Sequence, residues 1–323
     1  MEFRQLGHSG IEVSAFSSGS WLTYEYMEEK DALAVISRGL EAGINFLDDA
    51  RYNDRTGTAP LKTGYSEVVF GRLLRQGGWH RADLVIANKL WYEFYPEESP
   101  EAELDGSLSR LQLDYLDLLY CTPPPASLPM VELVKQMDDL VKTGKIRVWG
   151  VVNWPVEKME EAYKVATTAG MSVPCAAQLR YSLLDISPVE DEQTQKICRS
   201  AGIGIVASYS LYGGLLSGKY NQSEAAIKGR FGEKEVESMR QKGLLEKVNR
   251  VISLAQELGC TPAQLALAYC LQNKQVSSLL FGATKVSQIE ENIQTLELLP
   301  RINQEVMTKL RSPAKAASAR AKS

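Results

Sequence analysis

The chain has 323 residues, of which 44% are hydrophobic and 24% charged, and its 36 Lys+Arg stand against 40 Asp+Glu for a formal net charge of −4. That balance excludes a basic nucleic-acid binder, the apolar content excludes a disordered chain, and no apolar stretch approaches the roughly 18 residues of a membrane-crossing helix. The opening MEFRQLGHSG has no apolar signal-peptide core, so a cytoplasmic protein without membrane insertion is expected.

In chain order, short β-branched runs alternate with segments of helical periodicity. A strand over Val13 to Gly19 leads to a helix over Asp31 to Ala42, closed by Gly43, and a second strand over Ile44 to Asp48. After a turn-rich loop, residues 53 to 65, come a helix over Ser66 to Leu74 and a strand over Leu84 to Lys89. A helix over Glu101 to Leu111 precedes the strand Leu116 to Cys121. The next helix carries Leu133, Met137, Leu140 and Val141 on one face and stops at Gly144, as a left-handed C-cap would require. Strand Arg147 to Val152, helix Val156 to Thr168, strand Cys175 to Gln178, helix Glu190 to Ala201 and strand Gly204 to Ser208 continue the rhythm. A long connection, residues 212 to 240, precedes helix Pro262 to Leu271 and strand Ser278 to Phe281.

Eight strands alternating with seven helical segments, in a chain somewhat above about 250 residues, predict a (β/α)8 TIM barrel, an α/β fold. A doubly wound sheet is the competitor, but no GxGxxG follows the first strand. Residues 1–311 read as a single barrel, and residues 312–323, SPAKAASARAKS, as a disordered tail.

Two histidines, His8 in LGHSG and His80 in GGWHRAD, both read as loop residues. Ser-His-Asp chemistry and His-rich metal sites are therefore excluded, and no metal is expected. Cys121, Cys175, Cys198, Cys260 and Cys270 form no CxxC and read as buried or incidental thiols. Catalysis, if present, must run on carboxylates, Lys, Tyr or a bound cofactor.

In a barrel, polar residues just past the strand C-termini converge on one mouth. Those residues are Gly19 and Trp21, Asp48, Lys89, Thr122, Asn153, Gln178, Tyr209 with Ser210, and Gly282 with Thr284. Taken singly, Asp48 and Lys89 could be a structural ion pair, and Asn153 or Gln178 could equally satisfy a buried backbone group. Trp21, Tyr24, Trp91 and Tyr92 are candidates for an apolar substrate wall, with ordinary packing as the alternative.

Seven motifs in order, LGHSGIEVS with GSW, GINFLDDA, VIANKLW, GKIRVWGVVN, AQLRYSLL, SYSLYGGLLSGKY and GATKVSQIEEN, resemble the aldo-keto reductase family over about residues 1 to 311. The branch that includes the potassium-channel β subunits is the most similar. The resemblance implies an N-terminal β-hairpin before the barrel and NADPH-dependent hydride transfer to a small-molecule carbonyl substrate, with NADH as the alternative cofactor. It also implies that Asp48 tunes Lys89 and Lys89 acidifies a tyrosine proton donor. Asn153 and Gln178 would bind the nicotinamide carboxamide, and Tyr209 would stack on its ring. Ser210, Leu211, Gly213, Ser217 and Lys219 would line the pyrophosphate with Arg230 nearby, and Thr284, Gln288, Glu291 and Asn292 would hold the adenosine end. Gly19, Trp21 and Gly282 complete the cofactor set. Lys219, Lys285 and Arg230 favour the phosphorylated cofactor. A homo-oligomer is compatible with the resemblance.

Two positions depart from the family pattern. Asn53 stands where the family has its donor Tyr, so Tyr52, one residue earlier, is the leading donor and Tyr65 at the end of the loop the second; both would border the substrate. Thr122 stands where the family has a His, and its hydroxyl can still donate a hydrogen bond. Three functions are compatible: carbonyl reduction with this atypical tetrad, a cofactor-binding redox-sensing subunit with little turnover, or isomerisation by Asp48 and Lys89 without a nucleotide.

Overall fold

A computed structural model describes residues 1–221 and 230–311; the expected tail at 312–323 and part of the 212–240 connection lie outside the described residues. The strands are β1 (Phe3–Gln5), β2 (Glu12–Ser14), β3 (Phe16–Gly19), β4 (Phe46–Asp48), β5 (Val85–Leu90), β6 (Leu116–Cys121), β7 (Ile146–Val152), β8 (Ala176–Arg180), β9 (Gly204–Ser208) and β10 (Val276–Phe281). β1 and β2 form an antiparallel hairpin, and the other eight close into a barrel in the order β10-β3-β4-β5-β6-β7-β8-β9, every pair parallel. The expected fold, a (β/α)8 barrel with an N-terminal hairpin, is the fold observed.

Around it lie α1 (Glu29–Glu41), α2 (Tyr65–Gly77), α3 (Pro100–Leu111), α4 (Met130–Lys142), α5 (Val156–Ala169), α6 (Ser187–Glu190) and α7 (Glu192–Ser200). They are followed by α8 (Glu233–Gln241), α9 (Leu244–Leu258), α10 (Pro262–Leu271), α11 (Val286–Ile293), α12 (Thr295–Leu298) and α13 (Gln304–Arg311). No helix of the described residues is long and apolar enough to cross a membrane.

Strand alternation sorts the core into two shells. Phe46, Val85, Ala87, Leu118, Tyr120, Val152, Ala176 and Val206 fill the barrel interior, while Leu47, Ile86, Leu119, Val151, Ala177 and Ile205 pack beneath the helices. The hairpin adds Leu6, Ile11 and Val13 to the interior cluster and so plugs the N-terminal end. Gly7 makes this plug possible: at φ +56° it lies so close to the sheet that a Cβ would come within 2.1 Å of the Cys175 carbonyl oxygen.

Three expected elements differ in detail. The run expected as one strand over Val13 to Gly19 is two, because the chain changes partners at Ala15: its N–H donates to Glu2 of the hairpin segment (2.8 Å), and its carbonyl accepts from Leu279 of the barrel (2.8 Å). The helix expected over Glu190 to Ala201 breaks at Asp191, whose extended backbone and side-chain oxygen cap α7 by accepting from Thr194 N (3.0 Å). The 53 to 65 loop is itself hairpin-like, with Asn53 bridged to Thr63 and the Gly64 N–H donating to Tyr52 O (2.9 Å).

Candidate active site at the barrel mouth

The register brings the central charged groups together. Asp48, the last residue of β4, is level with Ala87 of β5, and Lys89 lies two residues further along the same inward face. Both are almost fully buried, and the Lys89 Nζ donates to Asp48 Oδ1 at 2.5 Å. Gln178, at the same level on β8, donates from Nε2 to Asp48 Oδ2 at 2.9 Å, so both carboxylate oxygens are occupied. A buried pair of this kind persists only when its remaining hydrogen-bonding capacity is met. Lys89 meets its own by donating also to Asp49 O (3.1 Å) and Tyr52 Oη (3.3 Å).

Lys89 is also anchored from behind. Its N–H donates to Asn88 Oδ1 (2.6 Å), Asn88 Nδ2 donates to Glu67 Oε1 on α2 (2.9 Å), and Glu67 pairs with Arg110 on α3 (2.5 Å). Asn88 faces outward because Lys89 faces inward, and this chain links the ammonium's strand to the helix layer.

Burial first, then the negative charges of Asp48 and Asp49, hold the Tyr52 phenol well above its ordinary pKa. The expected acidification by Lys89 is thus outweighed in this arrangement, and Tyr52 is a protonated hydroxyl beside a cation. Trp21 and Trp91 flank it, with ring centroids 6.4 and 6.1 Å away. Tyr52 and Tyr65 border one recess of about 240 Å³, but Tyr52 alone of the two reaches Lys89 among the described contacts.

Several other expected residues lie elsewhere. Asn53 is exposed and turns toward Glu93 (3.5 Å). The Thr122 hydroxyl donates to Leu90 O (2.9 Å), which commits its proton to the backbone instead of a ligand. Tyr24, expected along the substrate wall, is core: it stacks on Phe70 of α2 (6.1 Å) and its hydroxyl pairs with Ser18 (2.8 Å). Tyr92 is likewise buried in the outer apolar shell. Gln288 caps α11, accepting from Thr284 N (2.8 Å) and Lys285 N (3.2 Å), so its side chain organises the adenosine-side turn from within.

Sequence reasoning missed Asp49. Following Asp48 at the strand end, it points away from the barrel axis, fully buried, with one oxygen hydrogen-bonded to Ser20 Oγ and the other without a partner among the described residues. Burial, reinforced by Glu67, raises its pKa well above the usual carboxylate range. The Asp-Asp doublet was the available signal, since neighbours in a strand face opposite sides.

The opposite arc of the mouth has the features of a dinucleotide cradle. Ser210 is buried, and its Oγ has no close hydrogen-bond partner among the described residues. Gly213 and Gly214 have φ of +64° and +91°, and a Cβ at Gly213 would come within 2.5 Å of the Phe231 ring. Leu211, Ser217 and Lys219 lie on the same turn; Ser217 Oγ donates to Gly214 O (2.7 Å). Asn153 is exposed with a left-handed backbone, its N–H donating to Gln178 O (2.9 Å), and Tyr209, also left-handed, lies 4.8 Å from the Arg180 guanidinium. Gly282, Thr284 and Glu291 border the β10–α11 turn, and Asn292 is buried beneath it. Gly19 ends β3 beside Asp48. An unpartnered buried hydroxyl and a side-chain-free turn fit a group that brings its own phosphate oxygens.

The fold and site together define a closed parallel (β/α)8 barrel with a buried Lys–Asp pair at the C-terminal mouth, and comparison with known proteins supplies the class. The Aldo/keto reductase family model matches residues 15–314, and the chain belongs to that family. Two relatives are each 33% identical: a probable voltage-gated potassium channel subunit beta of Oryza sativa subsp. japonica, over 96% of this chain and 95% of its own, and a protein of the same description from Arabidopsis thaliana, with the same coverage. Membership supports an NAD(P)H-linked oxidoreductase in general terms.

Proposed function

We propose that the protein, as a single barrel of residues 1–311 in the cytoplasm, reduces a carbonyl substrate at the expense of NADPH, with Tyr52 as proton donor. The observation that carries this reading is the position of Lys89 Nζ, 2.5 Å from Asp48 and 3.3 Å from the Tyr52 hydroxyl. When bound, NADPH supplies the hydride that the carbonyl carbon accepts. Tyr52 gives its hydroxyl proton to the carbonyl oxygen, and the Lys89 ammonium stabilises the phenolate left behind. Asp48 and Gln178 fix Lys89 so that its charge is already aimed where negative charge develops. Asn153, Gln178 and Tyr209 would orient the nicotinamide, Ser210, Leu211, Gly213, Ser217 and Lys219 would line the pyrophosphate with Arg230 nearby, and Thr284, Glu291 and Asn292 would hold the adenosine on the turn that Gln288 shapes. Lys219, Arg230 and Lys285 are the cations that favour NADPH over NADH.

One observation favours a second reading. With the Thr122 proton committed to Leu90 O, the carbonyl oxygen loses a second donor, which suits slow turnover in a cofactor-dependent sensor. The relatives' description as channel β subunits agrees with a role of that kind, in a homo-oligomer or on a partner. Steady NADPH oxidation across an aldehyde and ketone panel, lost in Lys89→Met with nucleotide affinity kept, supports the reductase. Nucleotide binding without turnover supports the sensor, and no nucleotide binding in a fluorescence titration overturns both.

A further inference from the structure

Arg51 follows β4 and directly precedes Tyr52. It is buried, 5% exposed, and its guanidinium meets three groups of the β5–α3 connection. Nη1 donates to Glu98 Oε2 (2.8 Å), Nη2 lies 3.0 Å from Glu103 Oε1, and the Phe94 ring centroid is 5.3 Å from the guanidinium carbon. Glu103, in the first turn of α3 and also buried, commits both oxygens to the start of that connection, accepting from Trp91 N (2.8 Å) and Tyr92 N (3.1 Å). One guanidinium thus ties the chain leaving β4 to the chain leaving β5, the strand that carries Lys89. Its planar fork reaches two carboxylates at once, where an ammonium offers a single point charge.

The backbone shows what this tie does. The Tyr52 N–H donates to Ala50 O (2.8 Å), which makes a three-residue turn with Arg51 at its centre. The two side chains part there: Arg51 goes to Glu98 and Glu103, and Tyr52 to Lys89 Nζ, 3.3 Å from its hydroxyl. Trp91, whose N–H Glu103 holds, supplies the ring 6.1 Å from that of Tyr52. We infer that Arg51 is a positioning residue: its grip on Glu98 and Glu103 sets the Tyr52 hydroxyl against the Lys89 ammonium and keeps Trp91 beside it. The inference rests on the reading of Tyr52 as proton donor for its kinetic consequence, while the placement of the phenol can be measured without turnover.

The test compares Arg51→Lys and Glu98→Gln, each alone and combined with Tyr52→Phe, using NADPH and the best aldehyde of a panel. Arg51→Lys keeps a cation beside buried Glu103 but cannot span both carboxylates. We expect its kcat to fall about tenfold, with KM and NADPH affinity within about twofold of wild type, because the loss is one of donor geometry. Glu98→Gln, which removes the more exposed of the two partners, gives the same pattern at about threefold and decides the matter by the same criteria if Arg51→Lys does not fold. Added to Tyr52→Phe, neither change lowers the residual turnover further, since a residue that acts through Tyr52 has nothing left to position. Losses that multiply overturn the proposal, as do an unchanged kcat or a loss confined to KM, which marks a substrate contact instead. If Tyr52→Phe keeps full turnover, or no aldehyde is reduced, the donor reading fails and NMR of ring-Cζ-labelled tyrosine decides the placement. The Tyr52 phenol, faced by Lys89, Asp48, Asp49, Glu25 and Glu67, is held above its ordinary pKa. Its resonance, assigned through Tyr52→Phe, should stay untitrated through about pH 10 in wild type and titrate near that value in Arg51→Lys or Glu98→Gln. The same titration in wild type and both variants overturns the proposal.

Discussion

At the N-terminal end of the barrel the hairpin residues Leu6, Ile11 and Val13 close over Phe46, Val85 and Leu118, and the interior there is apolar. One or two residue pairs further along the same strands, the interior becomes Asp48, Lys89 and Gln178, each holding the others in place. The closed end fixes where the strands sit, which lets a buried charge pair at the open end keep one geometry. Stability and chemistry are thereby separated along a single axis, and substitutions at the two ends should fail in different ways.

The sharpest test of that separation is Lys89→Met, which should cost about 10²–10⁴-fold in turnover. Nucleotide affinity and the urea midpoint should stay near those of wild type; a matching loss of folding would merge the two ends into one cooperative unit. Gly7→Ala should do the reverse. Its left-handed backbone and the 2.1 Å approach to Cys175 O predict a loss of about 3 kcal/mol in urea unfolding, with turnover per folded molecule retained.

Asp49 sharpens the comparison by pH. Its folded pKa is raised, so the stability it contributes is complete below about pH 4, the unfolded value, and is lost as pH climbs through the folded value. Glu67 on α2, Asp48 and Tyr24 share its surroundings, with Lys89 as the opposing charge. Asp49→Asn should therefore raise the melting temperature relative to wild type at neutral pH and give little or no gain at pH 4. For Tyr52, whose phenol is also held high, kcat/KM should show no alkaline fall from its ionisation below about pH 10. The smallest effect is expected for Thr122→Val, which removes one hydrogen bond to Leu90 O: about 1 kcal/mol in stability and little change in turnover.

Much of the fold was legible because parallel barrel strands are short, apolar and β-branched, as in Leu116 to Cys121 and Gly204 to Ser208. The hairpin boundary was not, since Ala15 sits inside an unbroken strand-like run and only its change of hydrogen-bond partner divides it. Helix α9 was missing from the predicted elements although Val248, Val251 and Ala255 repeat at helical spacing. Helix α8 carries few apolar residues, Val236 and Met239 among them, and offers little periodicity inside a long connection. At the mouth, Asp48 and Lys89 could be named from their strand ends, but the hydroxyl that reaches the ammonium could not. That choice depends on how the 53–65 loop turns, and a loop's backbone pairing, here Asn53 with Thr63, leaves no periodic trace. Tyr24 and Tyr92 misled for a related reason: an aromatic near a strand end can face the core or the opening, and composition does not say which.

The path from Lys89 through Asn88 and Glu67 to Arg110 means that the outer jacket of helices is wired to the reactive floor. Anyone recasting this scaffold for a new reaction by redrawing α2 or α3 would be retuning the ammonium from outside, without touching a single residue that a ligand could meet.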